Sequence, residues 1–192
     1  KAMPWAVSSR FDAIPRGYKH SFLIRHPIKV LDSWKRNIWP QATDRPYEEF
    51  RLTDCSESEL APGYFFKESY DLYIHVKENY DPNPIIIDAD DLQSDPSGIL
   101  QAYCNAVGIP YTGDLLHWDP SDTITLTWKV RSSLLRLNQL DSFKFNDNAF
   151  SSSEFQKPKE GPTREGLTDD VLECVDFAMP FYEKMYRERL QC

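Results

Sequence analysis

Two short apolar blocks in the chain have the pattern of buried β-strands. The first runs from Lys19 to Arg25 and the second from Pro84 to Asp88, and each is continuously apolar at its centre. A short apolar run without alternation is typical of a strand buried on both faces of a parallel sheet. We therefore predict two parallel strands, about sixty residues apart along the chain.

Apolar residues around these strands recur every three to four positions, which is the period of an α-helix. One helix opens at Pro27, and we expect Pro40 to stop it. A second runs from Gly63 to Tyr80. A third begins at Asp95-Pro96, where aspartate caps and proline takes the first helical position, and ends at Gly108. Strands alternating with helices indicate an α/β fold with a parallel sheet.

The second half of the chain is mainly helical in this interpretation. Residues 124–140 are predicted to be helical, and residues 141–167, rich in polar residues, glycine and proline, to be a long loop or flap. The last helix begins after Thr168, whose side chain should cap it. Its core-facing residues should be Val171, Val175, Met179, Tyr182 and Met185.

Composition and charge narrow the class of protein. A chain of 192 residues with 41% hydrophobic residues fits one folded domain, residues 1–192. Its net charge of −8 argues against a nucleic-acid or anionic-membrane surface. No apolar run is long enough to span a bilayer, so we expect a soluble, cytoplasmic protein. Because Lys1 opens a segment that reads as ordered, we expect native sequence to precede it.

The cysteines and acidic residues give no strong indication of a metal. The four cysteines are far apart and form no Cys-x-x-Cys pair, so we expect no metal site, although a disulfide stays open. Cys104 and Cys174 fall in helical patterns and should be buried. Asp88, Asp90 and Asp91 follow the second strand; three such acids more often cap a helix or lie in solvent than bind a metal.

Arg25 and Ser33 are the candidate ligands for a phosphate. Arg25 ends a buried strand, and Ser33 lies two turns into the next helix. Ligands of open α/β sheets bind outside the carboxyl ends of the strands, where a guanidinium can hold a phosphate bidentately and a hydroxyl can add a hydrogen bond. An arginine at a strand end more commonly makes a salt bridge, and the spacing alone leaves both interpretations open.

The segment Phe-Leu-Ile-Arg-His-Pro-Ile-Lys-Val-Leu-Asp-Ser-Trp, residues 22–34, resembles the nucleotide 3′-phosphate-binding segment of the sulfotransferase family. The block from Pro84 to Leu100, followed by Gly-Ile-Pro at residues 108–110, is similar to a second family pattern. His117-Trp118 also resembles a block of some sulfotransferase-like proteins. Together the resemblance covers roughly residues 1–130.

The resemblance implies a three-layer domain of the P-loop, sulfotransferase-like kind with a helical C-terminal part. It implies that Arg25 and Ser33 bind the 3′-phosphate of PAPS (3′-phosphoadenosine 5′-phosphosulfate), with PAP (adenosine 3′,5′-bisphosphate) as product. Lys1 would stabilise charge during transfer, and His117 is a further catalytic candidate. Lys129 and Arg131 are candidate substitutes for a closing cofactor-binding motif.

Three departures from the family pattern limit what the resemblance implies. The phosphosulfate-binding loop of the family should precede residue 1 and is not in this sequence. Met3 stands where relatives carry a histidine base, so no base is assigned. Ala89 stands where many relatives have a tyrosine that contacts the adenine.

We therefore expect a transferase that moves a sulfuryl group from PAPS to a hydroxyl or amine of a small-molecule or carbohydrate acceptor. The alternatives are a non-catalytic sulfotransferase-like binding or assembly protein, and another nucleotide-binding transferase such as a kinase relative. The sequence does not indicate the acceptor or the oligomeric state.

Overall fold

The sheet of the protein is a parallel pair of strands, β1 (Ser21–Ile24) and β2 (Ile85–Asp88). The structure is a computed structural model and describes residues 10–57, 60–120 and 150–192. Ser21 pairs with Ile85 and Ile24 pairs with Asp88, so the strands run in register along their whole length. Both strands lie within the predicted apolar blocks, which confirms the prediction of a parallel pair.

Helices connect and follow these strands. They are α1 (Pro27–Ala42), α2 (Phe66–Asn79), α3 (Ala89–Ser94), α4 (Pro96–Val107) and α5 (Asp169–Arg187). Short 3₁₀ turns lie at Phe11–Ala13, Leu52–Asp54, Gly113–Leu116 and Arg164–Gly166. The six-residue α3 was not predicted as a separate helix. The predicted helix at residues 124–140 lies outside the described residues.

Helices pack on both faces of the sheet. Phe22, Ile24 and Ile86 lie on one face, in the main core formed with α1, α2 and α5. Successive side chains of a strand point to opposite faces, and on the other face α4 packs against β2. The hydroxyl of Tyr103 on α4 lies 3.4 Å from that of Ser21. The fold is therefore α/β, with the sheet between helical layers.

The prediction that the first strand is buried on both faces is wrong. Leu23 of β1 is 57% exposed, whereas Phe22 and Ile24 are buried. The reason is the position of α4, which lies against β2 and leaves the outward side chain of β1 in solvent. An apolar run does not show how far a covering helix extends across a sheet.

Pro40 does not stop α1, which continues to Ala42. A proline removes one N–H donor and crowds the preceding turn, but the final turn still closes because the Thr43 N–H donates to the Trp39 carbonyl at 3.2 Å. The indole N–H of Trp39 also donates to the Arg45 carbonyl at 2.7 Å. These two contacts hold the helix end beyond the proline.

Helix α2 begins at Phe66, three residues after the predicted start at Gly63. Tyr64 and Phe65 have φ angles of 50° and 68°, the left-handed region that bulky residues rarely adopt. The two aromatic side chains pack against the main core, and the Gly63 N–H donates to Glu68 Oε1 at 2.7 Å. Packing and this hydrogen bond therefore stabilise a turn at residues 63–65. The three-to-four spacing of apolar residues predicts a helix there.

Helix α4 begins and ends as the sequence predicts. Asp95 Oδ1 accepts a hydrogen bond from the Gly98 N–H at 3.0 Å, and Pro96 takes the first helical position. Gly108 has a φ of 77° and ends the helix in the left-handed conformation. The end signals at both termini are local, which is why the sequence alone locates them.

Helix α5 covers the core, with Val171, Val175, Tyr182 and Met185 buried and Met179 partly buried against the core. Thr168 occupies the N-cap position, but its side chain does not cap the helix. Its Oγ1 accepts a hydrogen bond from Lys35 Nζ at 2.9 Å instead. The expected side-chain cap is therefore wrong, because a buried lysine of α1 uses the hydroxyl.

The four cysteines are all free thiols, with Cys104 and Cys174 buried as predicted. Burial raises the pKa of the Cys174 thiol to about 11. Among the described helices, none has the length and apolar character needed to cross a membrane.

Candidate functional site

The carboxyl ends of β1 and β2 lie side by side because the strands are parallel and in register. Arg25 follows β1 directly, and α1 begins two residues later. On the neighbouring strand, Asp88 ends β2 and α3 begins at Ala89. Both strand-to-helix turns therefore meet at one edge of the sheet, where ligands of open α/β sheets bind.

Two cations and one carboxylate meet at this edge. Lys29 Nζ donates to Asp90 Oδ2 at 2.8 Å, and Arg25 Nε lies 3.6 Å from Asp90 Oδ1. The second distance is too long for a hydrogen bond, and among the described residues both Arg25 Nε and Asp90 Oδ1 are buried without a hydrogen-bond partner. The charge of Asp90 thus attracts the Arg25 guanidinium, and the Arg25 Nε–H is available to donate a hydrogen bond to a ligand.

The backbone N–H groups of the first turn of α1 are already used. Pro27 has no N–H, the Ile28 N–H donates to His26 Nδ1 at 3.3 Å, and the Lys29 N–H donates to the His26 carbonyl at 3.0 Å. Partial burial lowers the pKa of His26, although the neighbouring carboxylates of Asp90 and Asp88 oppose the shift. An anion at this edge would therefore be bound mainly by side chains.

Ser33 lies on the same helix, four residues after Lys29. Residues four apart lie on one helix face, about 6 Å along the axis, so Lys29 and Ser33 share a face of α1, and Arg25 lies two residues before the helix begins. The Ser33 side chain is exposed, and its hydroxyl lies 3.3 Å from Asn37 Nδ2. These side chains form an exposed polar face that begins at the sheet edge.

The Asp88 carboxylate holds the start of α3, the helix that carries Asp90. Its Oδ1 accepts hydrogen bonds from the backbone N–H groups of Asp90 and Asp91 at 2.9 and 3.2 Å, and its Oδ2 accepts one from Tyr182 at 3.0 Å. Burial raises the pKa of Asp88, and the same burial next to this carboxylate raises the pKa of Tyr182. Asp88 therefore caps α3, the role that we expected to be commoner than metal binding.

Asp90 and Asp91 have separate cationic partners, since Asp91 Oδ2 accepts from Arg189 Nε at 2.6 Å. Among the described residues, no group of three or more histidine, cysteine, aspartate or glutamate side chains is arranged to hold a metal ion.

The segment before α5 passes over Lys29. A Cβ at Gly161 would lie 3.0 Å from both Cγ and Cε of Lys29. The absence of a side chain at Gly161 thus allows the backbone to lie on the lysine stem. This segment is the described part of the predicted loop of residues 141–167.

His117 lies in a different contact. Its Nδ1 is 3.9 Å from Glu154 Oε2, and the two residues form an isolated antiparallel bridge. The side chain is 69% exposed, and the next residue, Trp118, packs edge-on against Phe155 at 5.3 Å. A catalytic role for His117 stays a prediction. The candidates Lys1, Lys129 and Arg131 lie outside the described residues.

A cavity of about 380 Å³ lies beside the part of α1 that carries Asp32, Arg36 and Trp39. The residues that line it are Asp32, Arg36, Trp39, Tyr47, Gly166 and Thr168. None of Arg25, Lys29, Ser33 and Asp90 is among them, so this cavity is separate from the charged edge of the sheet.

Lys29 and Asp90 are the site residues that the sequence analysis did not identify. The spacing of Lys29, four residues before Ser33 on the same helix, is the signal that would have found it. Asp90 was considered only as a metal ligand or a helix-cap residue, because its contact with Arg25 and Lys29 depends on the pairing of the two strands.

The comparison with protein families agrees with this fold. A family profile described as "Sulfotransferase domain" matches residues 75–189, which is more than half of the chain. The chain therefore belongs to the sulfotransferase domain family. The matched part includes β2, α3, α4 and α5, and it begins after the segment that holds Arg25, Lys29 and Ser33.

Two curated proteins of Arabidopsis thaliana are similar to part of the chain. Branched-chain-amino-acid aminotransferase-like protein 2 is 32% identical over 114 residues, which are 57% of this chain and 17% of that protein. Branched-chain-amino-acid aminotransferase-like protein 1 is 30% identical over 118 residues, 59% of this chain and 18% of that protein. The aligned part thus spans about a sixth of the length of each relative. No solved structure matches the chain.

Proposed function

We propose that this domain forms the 3′-phosphate subsite of a PAPS-dependent sulfotransferase. The observation that supports the proposal is the Arg25 guanidinium at the carboxyl end of β1, whose buried Nε has no hydrogen-bond partner in the described part of the chain and which has Lys29 beside it. Membership of the sulfotransferase domain family independently favours sulfuryl transfer.

In this proposal the side chains of α1 and the turn before it bind the nucleotide. Arg25 would donate hydrogen bonds to the 3′-phosphate through its planar fork, and the exposed Ser33 hydroxyl would donate another. The polar face has room for them because Ser33 is exposed and the Arg25 side chain is 41% exposed. When bound, PAPS supplies the sulfuryl group that passes to a hydroxyl or amine acceptor, and PAP is the product.

The residues that deprotonate the acceptor and stabilise the departing phosphate are not assigned by these contacts. His117 and Lys1 stay predictions for those roles, and Lys129 and Arg131 stay predictions for cofactor binding. We propose a small-molecule or carbohydrate acceptor, following the family. We also propose a cytoplasmic location.

The test is calorimetric titration of the full-length protein with PAP. Arg25→Ala should weaken binding about 10- to 100-fold, since hydrogen bonds to a charged group are worth about 1.5–3 kcal/mol. Arg25→Lys should recover only part of the loss, because lysine keeps the charge without the fork.

Arg187→Ala is the matched control. Arg187 is 75% exposed on α5 and pairs with Glu183 on its own helix, so its loss should leave PAP affinity unchanged. If the wild-type protein does not bind PAP, or if Arg25→Ala binds it as tightly as the control does, the proposed subsite is wrong.

A further inference from the structure

The carboxylate of Asp90 occupies the position between the two cations of the proposed phosphate subsite. Lys29 Nζ is 2.8 Å from Asp90 Oδ2, and Arg25 Nε is 3.6 Å from Asp90 Oδ1. The three side chains are 20%, 26% and 41% exposed for Lys29, Asp90 and Arg25 respectively. An anion from solution can therefore reach the cluster, and it would meet a negative charge already there.

Contacts with these two cations are what hold the Asp90 carboxylate in place. Asp88, two residues earlier, accepts the N–H groups that begin α3, and Asp91 is bonded to Arg189. Asp90 Oδ1 has no hydrogen-bond partner, and its Oδ2 accepts only from Lys29 among the described residues. Rotation of the Asp90 side chain would thus break one hydrogen bond and leave the capping of α3 intact.

Lys29, in contrast, is held toward the site. Its stem lies under the backbone at Gly161, where a Cβ would approach Cγ and Cε to 3.0 Å. It shares a face of α1 with Ser33, and its ammonium and the Arg25 guanidinium both lie beside the Asp90 carboxylate. A phosphate that takes the place of this carboxylate beside Arg25 is therefore within reach of the Lys29 ammonium.

The net charge of Arg25, Lys29 and Asp90 determines how strongly they attract such a phosphate. With Asp90 in place the cluster of Arg25, Lys29 and Asp90 carries a net charge of +1, and without its carboxylate the charge would be +2. A phosphate dianion replaces the carboxylate well, because it offers more charge and more acceptor oxygens to the same donors. A ligand without an anionic group at this position cannot make that exchange.

We propose that Lys29 is a third phosphate-binding side chain and that Asp90 is a built-in counter-ion, which the ligand's phosphomonoester displaces. This inference rests on the proposed function of the subsite. It adds that Asp90 lowers the affinity for the nucleotide.

Titration of the full-length protein with PAP tests both parts. Asp90→Asn keeps the shape of the side chain and removes its charge, so PAP should bind about tenfold more tightly. Lys29→Met keeps most of the stem and removes the ammonium, so PAP should bind about tenfold less tightly. Asp91→Asn, on the same helix but bonded to Arg189, should leave the affinity unchanged.

The outcomes separate this inference from the proposal on which it rests. If the wild-type protein binds PAP and Asp90→Asn binds it equally or more weakly, Asp90 positions the cations and is not a competing counter-ion. Unchanged affinity in Lys29→Met would remove Lys29 from the subsite. Asp90→Ala provides a second test of the same charge, and a thermal unfolding midpoint for each variant shows that it is folded. Failure of the wild type to bind PAP instead refutes the subsite itself.

Discussion

A buried ion pair between α1 and α5 should make a large contribution to stability. Lys35 is fully buried, and its Nζ lies 2.8 Å from Asp170 Oδ1 and 2.9 Å from Thr168 Oγ1. The ammonium also lies 4.9 Å from the centre of the Tyr47 ring. Asp170 Oδ2 accepts the Leu52 N–H at 2.7 Å. The pair thus joins α1, which also carries Lys29 and Ser33, to α5 and to the turn at Leu52.

Lys35→Met should lower the free energy of unfolding by about 3–5 kcal/mol. The substitution leaves the Asp170 carboxylate buried without its counter-charge, and breaking one side of a buried pair typically costs that amount. The lost hydrogen bonds to a charged group, about 1.5–3 kcal/mol each, give the same order. The double variant Lys35→Met/Asp170→Asn should lose about 1–3 kcal/mol less than the sum of the single losses.

Urea unfolding followed by tryptophan fluorescence measures these differences. The control is Lys67→Met, which removes a lysine from the Lys67–Asp71 pair on the surface of α2, where both side chains are nearly half exposed. That loss should stay within about 0.5 kcal/mol. The reasoning fails if Lys35→Met costs no more than Lys67→Met, or if the two losses of the double variant simply add.

Two further predictions concern pH and the segment over Lys29. Burial opposes the charge of Asp170, but hydrogen bonds from Lys35, Thr168 and the Leu52 N–H outweigh it and lower the pKa of Asp170. Its stabilisation is therefore complete above the unfolded pKa of about 3.9 and is lost as the pH falls through the folded value. Unfolding free energies measured from about pH 6 to pH 2.5 should fall less steeply in Asp170→Asn than in the wild type, and parallel curves would contradict this. Gly161→Ala should weaken PAP binding about threefold to tenfold by displacing the Lys29 stem; Gly166→Ala, with open space around the added Cβ, should not, and equal affinities in the two variants would contradict the displacement.

The sequence identifies the parts of the fold whose signals are local. The strands β1 and β2 follow from two apolar blocks, and α4 from a capping aspartate, a following proline and a left-handed glycine. The late start of α2 could not be predicted, since Tyr64 and Phe65 adopt a left-handed conformation that their packing holds. Thr168 is similar: its position predicts a cap, and a lysine far away in the sequence takes the hydroxyl instead.

For the candidate site, the sequence by itself determined the position of Arg25 at a strand end and of Ser33 on the following helix. These follow from the order of strand, proline and helix, which is fixed over a few residues. The tertiary structure alone decided that Asp90, 61 residues after Lys29, lies between the two cations. It likewise decided that Asp170 meets Lys35 across 135 residues. The physical reason is that the periodicity of a segment determines which face is buried, whereas its partner depends on the pairing of strands and the packing of helices that are distant in the chain.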